Sequence, residues 1–174
     1  YVLSDEELRE LLAQHPEVGE YIHQFIGSKE LLQNHPRNIL YLKYAPVKVL
    51  QIPEIRQRLD KIRIFRKTLS SESTRNFANT PALFVSDRYF AKPVLCIPRV
   101  SSERREYAPM GFLDKATRIP ESAIQMENAT LDLFAILQSK MHMAWLDTIG
   151  GKLKGDYRYS NTLVYNTFVV PELS

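Results

Sequence analysis

The stretch "GKLKGDYRYSNTLVYNTF", Gly151 to Phe168, concentrates features that are scarce elsewhere in the chain. Of 6 glycines in all, Gly150, Gly151 and Gly155 fall close together here. Lys152, Lys154, Asp156 and Arg158 stand at every second residue. In an extended chain successive side chains point to opposite faces. The spacing therefore predicts a strand with these four on one face and Leu153, Tyr157 and Tyr159 on the other. Gly155 leaves the backbone free to bulge or to approach a partner closely. Lys154 and Asp156 would lie about 6–7 Å apart along such a strand. That separation suits two side chains meeting the two halves of one base pair: lysine donates to guanine O6 or N7, and aspartate accepts from the cytosine amino group. The same residues also suit a surface strand with a local ion pair, which contributes little.

Around this stretch the chain reads as α+β. Ser4 with Glu7 forms a capping box before a helix ending near Gln14. A second helix is expected over about Glu17 to Ile26, closed by Gly27 in a left-handed conformation. "NILYLKY" (Asn38 to Tyr44) reads as a strand. Pro53 opens a helix with Ile55, Leu59, Ile62 and Leu69 on its apolar face. Arg56, Arg58, Lys61, Arg63 and Lys67 lie away from that face. "SSESTRNFAN" (Ser70 to Asn79) suits a further short helix. Strands are expected at "VLCIPRV" (Val94 to Val100), with Pro98 marking an edge or bulge, at "EYAPMGFL" (Glu106 to Leu113) and at "SAIQM" (Ser122 to Met126). Ala129 to Gly150 is helical by spacing, with Leu133, Leu137, Met141, Ala144, Trp145 and Thr148 in phase, as one helix or two. The last segments, "YRYS" and "TLVYNTFVV", read as extended. The fold class is α+β: a twisted, mostly antiparallel sheet with packed helices in a single domain.

The bulk properties narrow the function classes. A length of 174 residues with 44% hydrophobic and 25% charged residues is normal for one globular domain. No apolar run is long enough to cross a bilayer. The start "YVLSDEELRE" lacks a secretory pattern and also lacks Met, as in a piece of a longer chain. The single cysteine, Cys96, sits in an apolar strand and reads as an inert core residue suited to a reducing cytoplasm. The formal charge of +3 is a weak pointer to nucleic acid by itself.

No catalytic constellation is legible. His15, His23, His35 and His142 have no partner at zinc spacing, and no phosphate loop, dinucleotide fingerprint or serine elbow is present. His142 reads as a structural histidine. No metal site and no cofactor site is expected. Two basic clusters suit phosphate contacts instead. One comprises Arg56 and Arg63, with Arg75 soon after. The other, "RVSSERREY", offers Arg99, Ser101, Ser102, Arg104 and Arg105. Two other readings stand beside duplex DNA: an RNA-binding module stacking bases on Tyr157, Tyr159 and Tyr165, and a protein–protein adaptor.

Together, "FIGSKELL", "FRKTLSSESTRNFANTPALF", "IPRVSSERREYAPMGFL", "NATLDLFAIL", "SKMHMAWL" and "GKLKGDYRYSNTLVYNTF" resemble, in order, the target recognition domain of the MmeI-like enzymes. These are bacterial single-chain restriction–modification proteins that methylate adenine in DNA. The likeness covers about residues 20–172, within a recognition domain spanning 1–174. It departs from the family pattern at Ala135, at the pair Gln138 and Ser139, and in the run Phe168 to Pro171, where Val169 and Val170 replace Pro and Trp of F-P-W-P. The resemblance implies a non-catalytic fragment of a larger cytoplasmic enzyme. It implies double-stranded DNA as partner, beside the methyltransferase and C-terminal domains of the same parent chain. S-adenosylmethionine would belong to the parent's catalytic domain. The resemblance also implies that Lys154 and Asp156 are the variable pair reading one edge base pair. Lys152, Gly155, Arg158, Ser160 and Asn161 are candidate further DNA contacts. So is Ser122, in a candidate second reading loop from Ala116 to Met126.

Overall fold

Ser4 starts the first helix as its sequence requires. Its hydroxyl accepts from the Glu7 amide at 3.1 Å and the Glu7 carboxylate accepts from the Ser4 amide at 2.8 Å. These bonds occupy two amides that the helix itself leaves unpaired. The structure, a computed structural model, describes residues 1–87 and 92–170. Pro171, the last residue compared in the C-terminal motif, lies outside them. The described residues form two compact units: 1–24 with 37–87, and 25–36 with 92–170.

The first unit holds β1 (Val2–Leu3), α1 (Asp5–Gln14), β2 (Ile22–Phe25, whose last residue belongs to the second unit), β3 (Arg37–Leu40), α3 (Val47–Leu50), α4 (Pro53–Lys67) and α5 (Glu72–Asn76). The intervening α2 (Ser28–Gln33) belongs to the second unit. The first three strands form a sheet in the order β1-β3-β2. Leu3, Leu11, Val18, Leu40, Leu42, Val49, Ile52, Ile55 and Leu59 make its core. Burying each such side chain contributes about 1.5–3 kcal/mol.

Several expectations need correction here. Residues 16–21 form a 3-10 turn and 22–25 a strand, in place of one helix over Glu17 to Ile26. Gly27 does not close a helix. Its φ is −103°, and it caps the start of α2, where its amide donates to the Glu30 carboxylate at 2.9 Å. The Asn38–Tyr44 strand stops at Leu40.

The second unit adds β4 (Val94–Pro98), β5 (Val100–Ser101), β6 (Gly111–Leu113), β7 (Ala123–Met126), α6 (Leu131–Leu137), α7 (Lys140–Ile149), β8 (Gly151–Leu153) and β9 (Asp156–Arg158). One sheet runs β6-β4-β7 and another β5-β9-β8, all paired antiparallel. The expected α+β class with antiparallel pairing is present, its strands shared among three small sheets. Its core comprises Leu95, Ile97, Ile124, Leu137, Met143, Leu146, Tyr159, Val164 and Phe168 with Ala108. Cys96 is buried, and burial pushes its thiol up to about 12, which keeps it protonated.

Pro98 does not mark an edge. It ends the central strand of its sheet, paired with Ala123, and the chain then passes into β5. Only Gly111–Leu113 of the Glu106–Leu113 run is strand. The long helical stretch is two helices. Ser139 begins α7 by accepting from the His142 amide at 3.2 Å, and the restart changes the phase. His142, Met143 and Leu146 face inward, whereas Met141, Ala144 and Thr148 are exposed. The "TLVYNTFVV" segment is not extended, because Asn161–Tyr165 form one π-helical turn.

Candidate nucleic-acid interface

Gly151 to Arg158 is a hairpin, not one continuous strand. Gly151 pairs with Arg158, Lys152 with Tyr157, and Leu153 with Asp156. Lys154 (φ 54°) and Gly155 (φ 100°) make the two-residue link. Two central residues with positive φ are the signature of a type I′ turn, whose twist matches that of the paired strands. The turn reverses the alternation on which the one-face reading depended. Opposed residues share a face, so Leu153, Asp156 and Arg158 project from one face and Lys152 and Tyr157 from the other. Lys154 stands at the tip. Gly155 supplies the second left-handed residue of this turn.

The two faces differ in their surroundings. Lys152 lies with its ammonium 5.1 Å from the centre of the Tyr157 ring and 2.8 Å from the Asp147 carboxylate of α7. That bond raises the lysine's pKa and lowers the aspartate's. Lys152 is thus committed to the hairpin's support on the face away from Asp156. Tyr159, next in the chain after β9, is 4% exposed. Its hydroxyl meets His142 Nε2 at 2.9 Å. Burial pushes His142 down to about 4 and holds the Tyr159 hydroxyl well above the usual phenol range, so both are neutral near pH 7. On the outward face, Leu153 is 52% exposed, Arg158 is exposed and Asp156 is half-buried. Among the described residues no hydrogen bond or ion pair ties down the side chains of Lys154, Asp156 or Arg158.

The residue that joins this hairpin to the second candidate loop is Arg99. Its amide donates to the Ser122 carbonyl at 3.3 Å, and its carbonyl accepts from the Tyr159 amide at 2.8 Å. Its guanidinium Nε donates to the Glu121 carbonyl at 2.7 Å. A single residue, Arg99, therefore links the Ser122 backbone to the base of the hairpin. The Ser28 hydroxyl, bonded to the Ser122 carbonyl, also accepts from the Arg99 amide at 3.2 Å.

Beyond Arg99, β5 pairs Val100 with Arg158 and Ser101 with Tyr157. That register turns Ser101 to the inner face, where it is 6% exposed, so its hydroxyl is not presented as a phosphate contact. Ser102 instead shapes a turn: its hydroxyl accepts from the Arg104 amide at 3.3 Å and its carbonyl from the Arg105 amide at 3.2 Å. Glu103, Arg104 and Arg105 project from this turn and are exposed. Glu103 lies against the hairpin tip, its Oε2 3.2 Å from where a Gly155 side chain would begin. Its place beside the tip was missed in the sequence because it depends on β5–β9 pairing. Ser160 caps the π-helical turn by accepting from the Leu163 amide at 3.3 Å, and Asn161 is exposed.

In the first unit the basic residues are placed differently. Arg56 is exposed on α4, and Arg63 pairs with Asp60 at 2.7 Å. Arg75 donates to the Leu69 carbonyl at 2.9 Å and also bonds the Ser70 carbonyl. Arg58 bonds Glu7 and the Val2 carbonyl. Arg66, 6% exposed, donates to the carbonyls of Phe77, Thr80 and Leu83 and to the Tyr1 hydroxyl. Its position in phase with Ile55, Leu59 and Ile62 was the sequence signal of burial. Tyr157 and Tyr165 are half-buried and Tyr159 is buried, so these three rings are not laid out as a stacking platform. Among the described residues no three histidine, cysteine, aspartate or glutamate side chains gather as a metal site, and no helix is long and apolar enough to cross a membrane.

Comparison with known proteins identifies the family of the chain. Residues 1–172 match the family described as MmeI, target recognition domain. DNA methyltransferase A of Bacillus subtilis (strain 168) is 36% identical over 169 residues, which is 97% of this chain and 19% of that protein. A solved structure of the type IIL restriction-modification enzyme MmeI in complex with DNA superposes with a TM-score of 0.91 at 32% identity, covering 99% of this chain and 23% of that one. The chain thus spans about a fifth of the length of these relatives. Its sequence match across nearly the whole length and its shared fold place it in one family: the chain belongs to the MmeI target recognition domains.

Proposed function

We propose that this domain reads the sequence of duplex DNA for a methyltransferase carried in the same parent chain. The observation that carries this reading is the hairpin tip. A type I′ turn lifts Lys154 to the end of a two-stranded ribbon, with Asp156 beside it on the outward face and, among the described residues, neither side chain bound by another. A two-stranded ribbon fits the major groove, where lysine donates to guanine and aspartate accepts from cytosine. The likeness to an enzyme solved with DNA supports the same reading.

Arg158, paired with Val100, and Ser122, bonded to the Arg99 amide, extend the proposed reading surface. Arg104 and Arg105 supply phosphate contacts that hold register without reading sequence. Arg56, Arg63 and Arg75 are secondary candidates, because Arg63 and Arg75 already have partners within the protein. The domain's part in the reaction is positional. It sets the register in which a catalytic domain extrudes an adenine for methylation. S-adenosylmethionine, and any nuclease activity, would reside in other parts of the parent, inside the cytoplasm.

The test is to exchange the pair, Lys154→Glu with Asp156→Arg, in the intact parent and to map methylated sites on genomic DNA. The preferred pair is expected to turn from G·C to C·G at one position, with the rest of the site unchanged. Each single change is expected to lose about 1–3 kcal/mol of discrimination at that position. An active double variant with the original recognition sequence overturns the reading role.

A further inference from the structure

His142 is fully buried, yet among the described residues its Nδ1 has no hydrogen-bond partner. A buried polar atom left unpaired costs stability, and an apolar residue of similar size would avoid that cost. The imidazole supplies what such a residue cannot: a directional bond from Nε2 to the Tyr159 hydroxyl, 2.9 Å long. Its ring is also fixed edge-on against Phe168, with centroids 4.5 Å apart.

The location of that bond gives it a role in the reading hairpin. Tyr159 directly follows Arg158, the last residue of the outgoing strand. The incoming strand leaves the other end of the same helix, α7, through Gly150. The Gly150 amide bonds the Leu146 carbonyl at 2.8 Å, and a side chain there would begin only 2.4 Å from that oxygen. His142 and Gly150 are about 12 Å apart along the helix axis. The ribbon is therefore tied to one helix at two separated points, with the Asp147–Lys152 pair between them. One tie fixes where the hairpin stands, and the second fixes the angle at which its tip is presented.

We propose that His142 is a positioning residue for base readout: through Tyr159 it sets the angle of the Lys154–Asp156 tip and so sharpens preference at the base pair they meet. This rests on the reading role proposed for those two residues. The test uses the intact parent protein and a library of duplex DNA with a randomised core, with sequencing of the bound fraction. Affinity for non-specific duplex and melting temperature are measured in parallel.

Tyr159→Phe removes one oxygen and keeps the ring. It is expected to lower preference at that one base pair about tenfold, with other positions and non-specific affinity unchanged. His142→Leu should do the same. His142→Gln, whose side-chain amide reaches close to the place of Nε2, should recover a large part of the preference. If His142→Leu fails to fold, Tyr159→Phe decides alone. Wild-type preference at every position in Tyr159→Phe overturns the proposal. So does a loss that is equal at all positions and follows the melting temperature, which marks a packing role only. If exchanging Lys154 and Asp156 shifts no preference, the reading role itself fails and this proposal falls with it. If that exchange shifts the preference and Tyr159→Phe does not, only the positioning role fails.

Discussion

The α4 helix and the 102–105 turn are both rich in arginine, but they use the charge in opposite ways. On and just after α4, Arg58, Arg63, Arg66 and Arg75 all find acceptors within the protein, and Arg66 is buried by doing so. On the turn, Arg104 and Arg105 are exposed, and among the described residues their guanidinium groups carry no bond. Counting basic residues therefore overstates the charge available to a phosphate backbone. What decides availability is whether carbonyls and carboxylates lie within reach once the chain has folded.

Arg66→Ala is the most severe way to test this contrast. It strands the carbonyls of Phe77, Thr80 and Leu83. A stability loss of about 3 kcal/mol is expected in denaturant melts. A loss near zero would mean that Arg66 is as free as the arginines of the turn.

Acid should produce a loss of similar size in the other unit. His142 is held neutral to about pH 4, against an ordinary value of 6.5. The unfolded chain thus takes up a proton that the folded chain refuses. The associated stability is complete above pH 6.5 and is lost as pH falls toward 4, by up to about 3 kcal/mol. Melts of the wild type and His142→Gln across this range should differ in slope below pH 6.5 and run parallel above it.

Gly155→Ala sharpens the account of the tip. At a φ of 100° any side chain is strained, and this one would also press on Glu103. About 1–2 kcal/mol of stability should be lost, and under the proposed reading role preference at the base pair assigned to Lys154 and Asp156 should blur.

The smallest stability effect is expected from Arg104→Ala and Arg105→Ala, within about 0.5 kcal/mol. Their effect should appear in binding. Each phosphate contact removed lowers the slope of log affinity against log salt by about 0.9. A salt titration showing the same slope as the wild type would mean that these exposed arginines make no phosphate contact.

The parts of the fold legible in the sequence were those fixed by near neighbours. Ser4 with Glu7 and Pro53 at the start of α4 each act over a few residues, and each marks its helix correctly. The hairpin was harder to read because its charge alternation runs on unbroken across the turn. A period of two continues through Lys154 and Gly155 although the chain reverses there. The available signal was Lys-Gly between two short β-like triplets, weaker than Asn-Gly because lysine does not favour positive φ. Gly27 was misread for a related reason: glycine suits either end of a helix, and Glu30 three residues on was the clue to a start. Ser101 and Ser102 look alike in sequence, and only pairing with β9 turns one inward and leaves the other to shape a turn. Lys154 and Asp156 stood out from the beginning, but the geometry that sets them side by side at a tip came only with the fold.

The left-handed backbone at Lys154 also limits how this hairpin can be re-engineered. At a φ of 54° the chain accepts unbranched or short polar side chains and penalises those branched at Cβ. Lysine, arginine, glutamine, asparagine and the two acids are admissible letters at this position, whereas valine, isoleucine and threonine are not. Under the reading role proposed for Lys154, a tip with that alphabet suits hydrogen-bonding base edges and lacks the threonine methyl that can meet thymine. Attempts to reprogram position 154 toward thymine with a Cβ-branched residue should run into the backbone first.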